Sequence, residues 1–292
     1  MKLNKLVIAM GLASAVLTGC GSDNTTTPVP VPTPETDFSI TAIDGYIVHG
    51  LVTATCNDIE YTARTNESGV AAILADGSDI SDCTAEITGD AETRDLDAPD
   101  VAWLHTMATL KGLSVINPYT DVAAVIFANN PALSTAEVMD EVFTLLNITP
   151  DVVAGGVNLF ADYGANNVNS GLDTESLAKI SVLAHSTFSA IVKLKAALPA
   201  NATPAQAKAL YAAVLPKVTA MVAAKITELG QSNLAGKVFV AEFKLPTLKF
   251  NEDGTLKNHF SDLIIELVEL LDSTATGTGT GTGTGTDGVG QG

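Results

Sequence analysis

The stretch GDAETRDLDAPD sets Asp95, Asp97 and Asp100 close together, with Asp90 and Glu92 just upstream. Closely spaced carboxylates are what hard cations such as calcium use. No glycine tightens Asp95 to Asp100 into a ligand loop, however, and Arg94 competes for the charge. The sequence therefore favours a solvated loop between two domains over a calcium site. The four histidines, His49, His105, His185 and His259, are far apart, and none sits in an H-x-x-x-H or H-E-x-x-H pattern. Each reads as a surface or satisfied core residue rather than as a ligand. There is no G-x-S-x-G elbow, P-loop or dinucleotide fingerprint, so no nucleophile, phosphate cradle or cofactor is implied. Asn158, Asp162, Tyr163, Asn166 and Asn167 lie in the Gly- and Asn-rich segment 155–171. They are the first place to look for sugar contacts if the chain is a hydrolytic or carbohydrate-active accessory protein.

The most informative reactive side chain is Cys20. Lys2 and Lys5 precede an apolar run from Leu6 to Val16, too short to span a bilayer as a helix and suited to a secretory signal. The run ends in Leu17-Thr18-Gly19-Cys20, which resembles the lipobox of bacterial lipoproteins. The resemblance implies cleavage after residue 19, with the Cys20 thiol taking the diacylglyceryl group. Gly21 rather than Asp after the cysteine implies the outer membrane, by the sorting rule of Gram-negative lipoproteins. Of three cysteines, an acylated Cys20 leaves Cys56 and Cys83 as a pair in an exported, disulfide-permissive setting. The alternative for those two is a pair of buried free thiols.

Residues 20–37 carry Pro28, Pro30, Pro32 and Pro34 among Thr and Val. Alternate prolines favour extended polyproline II, at about 3.1 Å per residue, so this tether would hold a domain on the order of 50 Å from a bilayer. Residues 273–292 alternate Thr and Gly and read as a disordered tail. Net charge is −18, and removal of residues 1–19, which hold two lysines and no acid, would take it to −20. Such a surface repels nucleic acid.

Residues 38–98 read as short strands separated by turns at Asp44-Gly45, Asn66 to Gly69 and Asp76-Gly77. Three stretches, IDGYIVHGLVTATC, TNESGVAAI and GLSVINPYTDVAAVI, resemble a group of marine gammaproteobacterial outer-membrane lipoproteins. These carry a small transthyretin-like or carboxypeptidase-regulatory-like β-sandwich ahead of a helical part. Many of its members have a DxNxDG-like calcium loop after the first strand. At the corresponding place this chain has Cys56-Asn57-Asp58-Ile59-Glu60, without the alternating oxygen ligands or the glycine.

Residues 99–272 read as mainly helical. Asn117-Pro118 is a cap followed by proline at the first helical position, and Pro131 ends that helix. Ser134 to Glu137 and Thr203 to Gln206 are capping boxes. The first of these opens a helix to about Leu146. Residues 174–198 place Leu177, Ile180, Leu183, Ala184, Ile191, Leu194 and Leu198 near one helical face. The helix after Thr203 turns Leu210, Val214, Met221, Val222, Ile226 and Leu229 inward, and Pro216 should kink it. VFVAEFKL and TLKFNEDGTLK suggest a β-hairpin or edge strands, and Phe260, Leu263, Ile264, Leu267, Val268 and Leu271 form the stripe of a final helix. The expectation is an α+β lipoprotein: a signal (1–19), a lipidated tether (20–37), a β-sandwich (38–98), a helical domain (99–272) and a disordered tail (273–292). It would sit on the outer membrane as a non-catalytic module binding an envelope protein or glycan, with a partner face sought on the helical part.

Overall fold

The computed structural model describes residues 37–149, 157–163, 173–230, 234 and 237–270. The expectations for the signal, Cys20, the tether up to residue 36, Asn166, Asn167 and the tail lie outside those residues. In chain order the elements are β1 (Phe38–Ala42), β2 (Ile47–Val48), β3 (Leu51–Cys56), β4 (Ile59–Arg64) and β5 (Val70–Ile73). Next come β6 (Cys83–Thr88), β7 (Arg94–Asp95), β8 (Thr106–Thr109) and β9 (Val115–Ile116). Helices α1 (Pro118–Asn129), α2 (Thr135–Leu146), α3 (Thr174–Ala197) and α4 (Pro204–Leu229) follow, and β10 (Val238–Phe243) and β11 (Ile265–Leu270) come last. The architecture is α+β, with strands leading into helices.

Alternation writes the sheets. LVTATC in β3 buries Val52, Ala54 and Cys56 and leaves the intervening residues partly open. β3 lies between β4 and β6 in a four-stranded antiparallel sheet of order β4-β3-β6-β8. A second sheet, β5-β1-β9, pairs β1 antiparallel with β5 and parallel with β9. Both sheets turn apolar residues into one cluster, where Ile40, Ile73 and Ile116 meet Val52, Ile87 and Met107. The sheets draw on residues beyond 98, since β8 and β9 complete them.

Between β3 and β4 the chain turns on Asn57 and Asp58, both at positive φ (51° and 67°). This is the backbone a two-residue hairpin loop requires, and it brings Cys56 opposite Ile59. On its other side Cys56 stands opposite Cys83 in the β3/β6 register, and the two form the expected disulfide.

The helix starts follow their capping residues. Asn117 is fully buried, accepts from the Tyr119 and Thr120 amides, and donates through Nδ2 to Leu159 O at 2.9 Å. One side chain thus caps α1 and fixes the 157–163 segment against it. The Ser134–Glu137 and Thr203–Gln206 boxes both close. α4 continues through Pro216 to Leu229 and buries Tyr211, Leu215 and Val218 beside Leu210, Val214, Val222 and Ile226. Its inward face is centred so that Met221, expected inside, is exposed.

The expected final helix is not formed. Residues Ile265–Leu270 are instead β11, paired antiparallel to β10 from Phe243↔Ile265 to Val238↔Leu270. IELVEL satisfies a period of two as well as a helical stripe. The free edge of β10 decides the outcome by supplying a complete ladder, while Phe239, Ala241 and Ile265 go into the helical core and Ile264 stays 76 % exposed. The described residues belong to one compact unit with two apolar clusters. α3 bridges them: Ile180, Leu183 and Leu194 enter the helical cluster, whereas Phe188 enters the cluster of the sheets.

Candidate functional site

Three carboxylates from the strand region and one imidazole from α3 meet where these layers join. A bridge between Ile43 and Tyr46 closes the turn after β1 and puts Asp44 and Gly45 at its tip. β2 and β7 pair with Ile47 opposite Asp95, which brings the end of β7 beside that turn. Asp95 Oδ1 accepts from the Gly45 amide at 3.0 Å and from the Asp97 amide at 2.9 Å. The approach is close enough that a Cβ at Gly45 would stand 2.3 Å from Asp95 Oδ1. Glycine is therefore required by space. His185 enters from the buried face of α3. Its Nε2 is 2.7 Å from Asp97 Oδ2 in a hydrogen bond, and its Nδ1 is 3.0 Å from Asp44 Oδ1. Asp44, Asp95 and His185 are buried, while the Asp97 side chain is 42 % exposed.

Burial pushes the Asp95 carboxyl up to about 7, with the charge of Asp44 adding to the rise and that of His185 opposing it. For His185, burial disfavours the charged ring, but Asp44, Asp97 and Asp95 together outweigh it and hold the ring well above its ordinary value. The hydrogen bond from His185 holds Asp97 below the usual carboxylate range, against its partial burial. Tyr163 is buried nearby with its hydroxyl lacking a hydrogen-bond partner, and burial, followed by Tyr119 and these carboxylates, holds that hydroxyl un-ionised.

This arrangement limits what the imidazole can do. Both ring nitrogens face carboxylates, so neither is placed to take a proton from a hydroxyl or thiol nucleophile. The neighbouring Ser186 donates to Val182 O and Phe239 O, turned away into backbone. A separate open groove is lined by Lys244, His259, Phe260 and Asp262 among others, with no serine, threonine or cysteine among the described residues of its lining.

The residues singled out in the sequence are thus redistributed. Asp95 and Asp97 converge with Asp44 and His185 rather than with Asp100, which is exposed. Asp90 pairs with Arg64 at 2.6 Å, and Glu92 is exposed. His185 is a core histidine with a carboxylate at each ring nitrogen, whereas His49 lies 3.2 Å from Glu67 and His105 packs edge-on to Trp103 and Phe188. In the segment proposed for sugar contacts, Tyr163 is buried, Asp162 accepts from the Tyr46 hydroxyl, and Asn158 accepts from the Phe160 amide. One signal in the sequence did point to His185: it sits between Leu183, Ala184 and Phe188 on an inward helical face, where an imidazole requires a polar partner. Comparison with protein-family models, curated proteins and solved structures finds no match.

Proposed function

We propose that the protein is a lipid-anchored module of the outer membrane that binds an envelope macromolecule and does not turn over a substrate. The observation that carries this reading is the enclosure of the titratable side chains that converge among the described residues: His185 is buried and has a carboxylate at each ring nitrogen. An acid–base catalyst needs one of those nitrogens within reach of a substrate proton. Anchoring rests on the Leu17-Thr18-Gly19-Cys20 motif and on the likeness to marine gammaproteobacterial lipoproteins. The sequence points the search for a partner face to the helical part; we seek it instead on the loop that carries Leu96, Val101 and Leu104, because three apolar side chains there remain 42 %, 67 % and 63 % exposed within nine residues. If the partner is basic, the net negative charge steers association, and the on-rate falls as salt rises.

A photo-crosslinker at Val101 or Leu104, used in intact cells, should capture one reproducible envelope partner. Metabolic fatty-acid labelling should mark the wild type and not Cys20→Ala. Reproducible turnover of a glycan, ester or peptide that disappears on replacing a single carboxylate, with no partner captured, would replace this reading with the enzymatic one.

A further inference from the structure

Asp44, Asp95 and His185 each place one donor atom within 4.8 Å of the other two, and all three are buried. Their mutual contacts are incomplete as hydrogen bonds. His185 Nδ1 and Asp44 Oδ1 are 3.0 Å apart as an ion pair, and Asp44 Oδ1, fully buried, accepts no well-formed hydrogen bond. Two donors held about 2.1 Å from one tetrahedral ion are themselves about 3.4 Å apart. The His185 and Asp44 atoms would have to part by only a few tenths of an ångström to share one.

The remaining partners are those a metal-bound imidazole needs. With its proton on Nε2, hydrogen-bonded to Asp97 Oδ2 at 2.7 Å, His185 keeps the Nδ1 lone pair on the side of Asp44. Asp95 is fixed by two backbone amides on Oδ1, which leaves its second oxygen for coordination. Charge points the same way. The fold gives another buried carboxylate, Asp121, a lysine: Lys195 Nζ lies 2.7 Å from it. Among the described residues no lysine or arginine pairs with Asp44, Asp95 or Asp97. A divalent ion would displace the Nδ1 proton of His185 and bring two positive charges to the two buried carboxylates, where the protonated ring alone brings one, while Asp97, half-exposed, keeps its charge beside water.

We propose that Asp44, Asp95 and His185 bind one divalent cation of the zinc class, with Asp97 as the positioning residue behind the imidazole. A nitrogen among the donors selects such an ion over calcium, which takes oxygen ligands. Three protein donors leave the fourth position to water, and ion binding is measurable whether or not the 96–104 loop, which carries Asp97, meets a partner.

The test uses the full chain, purified without a histidine tag and stripped with chelator. Titration calorimetry with zinc chloride should give one ion per chain, calcium chloride should not compete, and zinc should raise the melting temperature. Cobalt(II) should give visible absorption bands that His185→Gln removes. Asp97→Asn keeps all three ligands and should weaken zinc binding about ten- to a hundredfold. It decides the matter if His185→Gln fails to fold, because a site made by other histidines would ignore it. Absence of stoichiometric zinc binding, displacement by calcium, or an affinity unchanged by Asp97→Asn would each overturn the assignment.

Discussion

Asp90 and Asp95 stand five residues apart in one acidic stretch, and the fold moves their carboxyls in opposite directions. Asp90 stays at the surface, where its hydrogen bond with Arg64, helped by the Glu92 amide, brings it down to about 2. Asp95 turns inward beside Asp44 and is pushed up to about 7, chiefly by burial. The difference arises at Thr93 and Arg94. Thr93 is fully buried and hydrogen-bonded back to Asp90, and Arg94 pairs with Val48 as β7 begins. The chain thus passes from solvent to interior within a few residues. Closeness in sequence says little about whether two acids share an environment.

The sharpest way to break the contrast is at His185. In chelated buffer at neutral pH, His185→Leu leaves Asp44 and Asp95 buried with no counter-charge and should cost about 3–5 kcal/mol in urea unfolding. A loss below about 1 kcal/mol would mean that water reaches the carboxylates and that the interior–surface distinction drawn here is false.

The next effect is at Cys56 and Cys83, which clamp the sheet that carries Asp90's partner Arg64. Their sequence separation of 27 corresponds in the chain-entropy model to about 3.5 kcal/mol. Reduction should lower the melting temperature and leave the β2–β7 pairing beside Asp95 intact, as hydrogen exchange at the Gly45 and Asp97 amides would report. Loss of protection there at the same reductant concentration would show that the two regions are not separable.

Gly45→Ala acts on the inner site alone. A Cβ 2.3 Å from Asp95 Oδ1 and 2.8 Å from Asp97 Cγ forces both carboxylates to move, at about 1–3 kcal/mol. Thermal unfolding measures the cost. Asp90, on the surface, should titrate as before in the same variant by carboxyl NMR.

Much of the scaffold was legible because local rules decide it. Asn117, Ser134 and Thr203 cap helices where their side chains satisfy free amides, and Cys56 and Cys83 meet because alternation places both inward on paired strands. β11 is not legible in the sequence because IELVEL fits both periods, and a partner strand more than 20 residues away settles the choice. The site was half legible for the same reason. Asp95 and Asp97 stand out by local density. Asp44 looks like any turn aspartate until β7 pairs with β2, and His185 joins them only when α3 packs across the sheets.

The smallest effects are the two pH dependences, which should have opposite sign. The folded value of Asp95 lies above its unfolded value near 4. Its contribution is fully present below about pH 4 and is lost as pH rises through about 7. Asp90 is the reverse: its folded value lies below the unfolded one, so its contribution is present above about pH 4 and lost as pH falls through about 2. In metal-free protein, Asp95→Asn should flatten the decline in stability between about pH 4 and pH 7. Asp90→Asn should leave that limb untouched and flatten only the acid limb, by little, because its pair with Arg64 is open to solvent. Urea midpoints measured at half-unit steps from pH 2 to pH 8 would separate the two limbs. If both substitutions altered the same limb, the two carboxyls would be responding to one shared field, and the opposition between surface and interior would fail.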